Sequence, residues 1–292
     1  MSRLSDSGFE EELQISPVKA WHECDYEESC FIIQRHNELQ FIAQNCLAHQ
    51  PQITAEARSK LVSWLIAVHR QLKLSFESCC LAVNIMDRFL ITTSVAADCF
   101  QLLGVTSLLI ATKQVEVYSP RITQLLSLCC NSFSREQLCN LECLVLLRLN
   151  FRLAAPTLAF FLDYFTSRLT GRQSGGAISD TGAWQEHRAV EINWKWLACK
   201  VCELSLADYT FNKYMPSVIV QCALKLAKDL LKTHSVQSTE HNTGSLKTSE
   251  SFCAEEYPPL TCENQVLFQQ CTDDLKLLLS LNQDAVQDLV RL

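Results

Sequence analysis

The chain has 292 residues, room for two domains of ordinary size. With only 7 Gly and 7 Pro it is too poor in turn formers for a strand-rich fold, which leaves a helical one. Its formal charge of −7 argues against a broad phosphate-binding surface, since that needs clustered Lys and Arg.

The 16 cysteines lie mostly inside apolar helical patterns, as at Cys79-Cys80, Cys129-Cys130, Cys139, Cys143 and Cys222. There cysteine behaves as a small hydrophobe. The N-terminal stretch MSRLSDSGFEEEL is acidic and has no apolar core, so it does not read as a signal peptide. Disulfides are therefore not expected, and the composition suits a reduced, soluble protein of the cytoplasm and nucleus.

Residues 1–20 are polar, contain Pro17 and lack helical periodicity, so they read as a flexible arm. From Tyr26 to His49, the spacing of Phe31, Ile32, Leu39, Phe41, Ile42, Cys46 and Leu47 predicts one amphipathic helix lying outside the domain that follows, ended by Pro51. Thr54 is the expected N-cap of a helix from Ala55 to about Leu72, with Glu56 in its first turn. Ser75 caps the next, which runs to about Ile91 with Glu77 in its first turn. Two charges stand in these helices, Arg58 and Asp87. Buried, they should pair; on the surface, they are two solvated charges.

The stretch Asp98–Glu116, DCFQLLGVTSLLIATKQVE, is apolar on every side of a 3.6-residue period over most of its length. Such a helix is either buried or spans a membrane. This one falls short of the roughly 20 apolar residues a span requires, so it reads as a central helix wrapped by others. It delivers one lysine, Lys113, to its end. Pro120 opens a short helix, ITQLLSLCC. Ser134 and Gln137 have capping-box spacing and start another, ending near Asn150.

Pro156 begins a second block: a helix PTLAFFLDYFTSRL, a Gly/Ser-rich loop near 171–183, and a helix over about Glu186–Leu206. Pro216 opens a third helix, SVIVQCALKLAKDLLK. Residues 234–256 are nearly free of apolar content and read as a long mobile loop. A last amphipathic helix covers about Cys262–Leu281. The division is thus an arm at 1–20, a first unit at 21–153 and a second at 154–292.

No catalytic spacing and no Gly-rich phosphate loop occurs. Cys199 and Cys202 form one CxxC with no second pair and no neighbouring His pair, whereas structural zinc needs four ligands. The chain reads as a non-enzyme without metal or cofactor.

Several motifs then occur in order. Residues 58–90, RSKLVSWLIAVHRQLKLSFESCCLAVNIMDRFL, are followed by FQLLGVTSLLIATKQVE and REQLCNLECLVLLRLNF. The second block adds AAPT at 154–157, ELSLAD at 203–208 and YMPSVIVQCAL at 214–224. Together they resemble the cyclin family over about residues 26–285. The resemblance implies an all-α fold of two tandem five-helix cyclin boxes with an N-terminal helix. It also implies a regulatory role: a heterodimer with a cyclin-dependent protein kinase, activated when the cyclin packs on the kinase helix whose glutamate pairs with the catalytic lysine.

By motif, Lys113, Glu142 and Phe151 fall on the family's kinase-binding positions, Arg58 and Asp87 on its structural ion pair, and Leu102 on an interior leucine of its third helix. Of the family's substrate-docking groove, Leu61, Trp64 and Gln101 match. Ala57, Lys60 and Ala67 stand where Met, Ile and Glu are usual, so a lysine is expected in the apolar floor and weak binding of basic-x-Leu peptides should follow. Gln114 and Val115 replace a frequent Phe-Glu, which leaves the choice of kinase open. Within the family, the motifs look most similar to the cyclin-O branch, implying a link with centriole amplification and motile cilium formation. Two rivals remain. One is a paired cyclin fold that binds nucleic acid, which the acidic charge opposes. The other is a cyclin-fold scaffold that does not activate a kinase. No nucleic acid and no membrane is expected among the partners.

Overall fold

The structure, a computed structural model, describes residues 26–173, 183–237 and 262–282. Among these the elements are helical: α1 (Tyr26–Phe41), α2 (Ala55–Gln71), α3 (Phe76–Thr92), α4 (Ala97–Val115), α5 (Ile122–Leu128) and α6 (Arg135–Arg148), then α7 (Leu158–Gln173), α8 (Ala183–Ala207), a 3-10 turn (Tyr209–Lys213), α9 (Pro216–Gln237) and α10 (Cys262–Leu281).

The starts of the first-box helices follow from their caps. Thr54 Oγ1 accepts from Ala57 N at 3.1 Å, and Ser75 Oγ from Ser78 N at 3.2 Å. Ser134 and Gln137 close a reciprocal capping box, with bonds of 3.1 and 2.8 Å. Each cap satisfies backbone donors that the helix itself cannot reach.

The run from Leu102 to Thr112 in α4 is buried on all sides, enclosed by α2, α3 and α6. Gly104 permits a close approach of α2. A Cβ there would stand 3.0 Å from Leu61 Cδ1, so α2 seats Leu61 in the space a side chain would take. In the second box, α9 packs on α7, α8 and α10 around Phe161, Val201, Val220, Ala227 and Leu275.

Four expectations need correction. The first helix stops at Phe41, and residues 44–49 form turns. Asn45 takes a left-handed φ of 54° and its carbonyl accepts from Ala48 N at 2.9 Å. Buried Gln50 then holds the segment, donating to Leu90 O and Thr93 O at 2.7 and 2.8 Å and accepting from Val95 N at 2.9 Å. Ile32 and Leu39, read as part of the buried face of α1, are exposed. The face that packs carries Phe31, whose ring stacks on Tyr164 at 4.2 Å in the second box, while Phe41 joins the first core. So α1 spans both boxes. The short helix begins after Arg121, not at Pro120, and ends at Leu128.

The fourth difference lies at the two insertions. Helix α9 continues through residues 234–237, and α7 reaches Gln173. The arm at 1–20 and the remainder of both insertions lie outside the described residues.

Candidate functional site

Helices α4 and α6 lie side by side in the first box. Lys113, in the last turn of α4, places Nζ 2.5 Å from Glu142 Oε1 on α6. A cation in a helix's last turn is favoured by the helix dipole. The lysine is half-exposed while the glutamate is mostly covered. An exposed pair of this kind adds little to stability, so its position says more than its energy. One carboxylate oxygen takes one of the three ammonium donors.

Helix α6 itself is poorly covered. Leu138 and Val145 are its only fully buried residues, although most of its last two turns are apolar. Leu144 and Leu147 are 40% and 65% exposed, and Phe151, just beyond the helix, is 63% exposed. Asn150 and Phe151 both hold left-handed backbone, φ 50° and 55°. Phe151 N donates to Leu146 O at 2.9 Å, which closes the helix end. A bulky residue at positive φ is disfavoured; here it leaves the ring outside the core. Val117 and Tyr118, after α4, are each 88% exposed.

Arg58 and Asp87 form a buried bidentate pair, Nε to Oδ1 at 2.8 Å and Nη2 to Oδ2 at 2.6 Å. The pair reaches the second box. Arg58 Nη1 donates to Leu206 O and Ala207 O at 3.3 and 3.4 Å, and Nη2 to Asn212 Oδ1 at 3.2 Å. Asn212 Nδ2 in turn donates to Asp87 Oδ2 at 3.0 Å. Burial opposes the guanidinium charge, and the attraction of Asp87 outweighs it.

Leu61 of α2 is buried beneath Gly104, with Trp64 of α2 and Gln101 of α4 half-buried. Lys60 does not enter an apolar floor. Its Nζ turns to solvent, 2.7 Å from Glu56 Oε1, as an i,i+4 pair on the outer side of the helix.

Three carboxylates make contacts that the motifs did not assign to them. Glu116 Oε1 accepts from Ser75 N, Ser75 Oγ and Ser78 Oγ at 2.8, 2.8 and 2.6 Å, tying the end of α4 to the start of α3. Its partial burial pushes its pKa up, but these bonds win and hold it below the ordinary value. Glu77 accepts from Thr157 Oγ1 at 2.5 Å, linking α3 to the cap of α7. Glu38 on α1 accepts from Ser217 N and Oγ at 2.7 and 2.9 Å at the start of α9, and pairs with Arg35. Burial raises its pKa despite these partners. No local pattern announces such long-range contacts; only the Ser75 cap was legible.

Cys199 and Cys202 belong to the second core, and burial raises both thiols, Cys199 to about 11. Protonated thiols are poor metal ligands. Among the described residues no cluster of three or more His, Cys, Asp or Glu could hold a metal, and no helix is long and apolar enough to cross a membrane.

Comparison with known proteins bears on this architecture. The chain is 48% identical over 267 residues to cyclin-O protein B of Xenopus laevis, covering 91% of this chain and 66% of that protein. To cyclin-O of Homo sapiens it is 56% identical over 208 residues, 71% of this chain and 56% of the relative. The chain thus spans less than two thirds of the length of these relatives. A viral cyclin from herpesvirus saimiri shares the fold, with a TM-score of 0.62 at 18% identity, over 86% of this chain and 98% of that one. The family model of the cyclin N-terminal domain matches residues 29–154 and that of the cyclin C-terminal domain residues 156–256, meeting between α6 and α7, and the chain is accordingly a member of the cyclin family.

Proposed function

We propose that this chain is the regulatory subunit of a cyclin-dependent protein kinase, bound as a heterodimer through the α4–α6 face and performing no chemistry of its own. The observation that carries the reading is the uncovered apolar outer side of α6, where Leu144, Leu147 and Phe151 lie exposed, on the helix that also contributes Glu142 to the pair with Lys113. Apolar area supplies most of the affinity at such a face. A charge pair at its edge sets orientation by meeting backbone carbonyls and amides of the partner. By family resemblance, the partner surface is the kinase helix whose glutamate must swing in to pair with the catalytic lysine. Binding that favours the inward position activates by shifting a two-state equilibrium.

Two further solved structures that share the fold support the reading by their descriptions. One is a CAK complex from Chaetomium thermophilum bound to ATP-gamma-S, the other a yeast RNA polymerase II CTD kinase complex, with TM-scores of 0.51 and 0.52. A double variant, Lys113→Ala with Glu142→Ala, is expected to stay folded and to lose co-purification with a panel of cyclin-dependent kinases. Undiminished binding would refute the assigned face.

The segment after Lys113 supports a second reading, an adaptor of cyclin fold that binds without activating. Val115 packs toward the first core and Gln114 is an exposed neutral residue, so no apolar-acidic pair continues the face there. A phosphotransfer assay on the purified complex separates the two, since an adaptor leaves kinase turnover unchanged. The likeness to proteins named cyclin-O extends the proposal to centriole amplification and motile cilium formation, acting in cytoplasm and nucleus. Normal centriole numbers in multiciliated cells depleted of the protein would remove that extension. The reading requires neither nucleic acid nor a membrane as partner.

A further inference from the structure

A second surface lies between the boxes, built from α2 and α8. Ser63, Ile66 and Arg70 of α2 and Lys200, Glu203 and Leu204 of α8 line a cleft of about 290 Å³. Its charge is unbalanced. Arg70 and Lys200 both pair with the same carboxylate, that of buried Glu203, with Lys200 Nζ 3.0 Å from Oε2. Two cations on one anion leave an excess positive charge on a chain whose total is −7. Arg70 is half-exposed, and one of its five donors is engaged by Glu203. An apolar rim adjoins it: Trp196 is one turn before Lys200 on α8, 36% exposed, with the Lys200 ammonium 5.5 Å from its ring centroid. Exposed Ser63 and Ala67 keep the neighbouring ridge of α2 low.

From this geometry we infer that the α2–α8 cleft is a docking site for an acidic peptide segment of a partner protein, in which an Asp or Glu meets Arg70 and Lys200 and an adjacent apolar side chain packs on Trp196. Charge complementarity selects the occupant. Arg and Trp are the residues that most often anchor such contacts, and the carboxylate geometry suits a guanidinium. The site shares no residue with the kinase-docking face, which is built from α4 and α6.

Fluorescence anisotropy on the full chain tests it, with a labelled Leu-Asp-Glu-Leu-type peptide, its Asn/Gln counterpart of equal length, and a basic-x-Leu peptide. The acidic peptide should bind more tightly than both, with affinity falling as salt rises. Lys200→Met keeps the aliphatic stem and leaves Glu203 paired with Arg70, so it should fold; it is expected to weaken acidic-peptide binding about tenfold. Trp196→Ala should weaken the same peptide without altering its salt dependence. The Lys113→Ala/Glu142→Ala variant should bind it normally, which separates failure of this site from failure of the kinase face. Equal binding of the Asn/Gln peptide, no binding at millimolar peptide, or undiminished binding by folded Lys200→Met would each overturn the inference.

Discussion

At the scale of single residues, burial decides what a charge does. Arg58 could have been a solvated surface cation; at 0% exposure it must be paired, and Asp87 supplies both oxygens. Asp87→Ala leaves the guanidinium buried with only amide and carbonyl acceptors. The expected loss is about 3–5 kcal/mol in chemical denaturation, whereas Lys60→Ala, whose partner is an exposed i,i+4 glutamate, should shift stability by less than about 0.5 kcal/mol.

Glu116 makes the corresponding case for pH. Its carboxyl is held below the ordinary value of 4.5 by the serine hydrogen bonds, against the opposing effect of burial. The folded state therefore keeps it ionised where the unfolded chain would bind a proton. Its stabilisation is complete above about pH 4.5 and is lost as the pH falls through the lower folded value. Glu116→Gln should cost about 1 kcal/mol at pH 7 and flatten the acid side of the melting-temperature profile. An unchanged acid limb would show that the Ser75–Ser78 contact carries no charge dependence.

At the scale of elements, α4 and α6 differ in how their composition is spent. Both are largely apolar, yet α4 is enclosed and α6 buries only Leu138 and Val145 completely. Periodicity marks α4 as apolar on every side and therefore buried, but it cannot say which side of the mixed helix α6 is left open. Substituting Leu144 and Leu147 with Ser should therefore leave the melting temperature within about 2 °C while abolishing kinase co-purification. A large drop in stability instead would mean that α6 is part of the core. The same limit explains α1. Its apolar residues occupy more than one side, and the face holding Phe31 and Phe41 is chosen because partners exist there, leaving Ile32 and Leu39 outside. Its early stop at Phe41 reflects tertiary pull: buried Gln50 satisfies three backbone groups of α3 and the segment after it, which a continuous helix could not have brought there.

At the scale of the whole molecule, polar contacts join the boxes at separate points. Arg58–Asp87–Asn212, Glu77–Thr157 and Glu38–Ser217 each connect residues far apart in sequence. Glu38 is the one that holds α1 to the second box, where a carboxylate at the first turn of α9 meets unpaired backbone donors and the positive end of the helix dipole. Glu38→Ala strands Ser217 N, with an expected cost of about 1–3 kcal/mol and faster amide hydrogen exchange in α1 and the first turn of α9. Exchange unchanged in α1 would mean that Phe31 stacking alone anchors it. Because burial raises this carboxyl's pKa, the sign is opposite to that of Glu116. Its contribution is largest at low pH and declines as pH rises through the raised folded value.

The sequence by itself determined the helical class, the caps at Thr54, Ser75 and Ser134, the buried character of α4 and the cyclin motifs. Each of these is written in neighbouring residues, where propensity, capping and periodicity act over a few positions. It also set Lys113 and Glu142 on two separate helices. Only the tertiary structure decided that their atoms meet, that α6 keeps an apolar side uncovered, that Lys60 turns outward and that Arg70 and Lys200 share Glu203. Those outcomes depend on which helix faces lie opposite one another, a matter of packing between segments distant in the chain that no local pattern encodes.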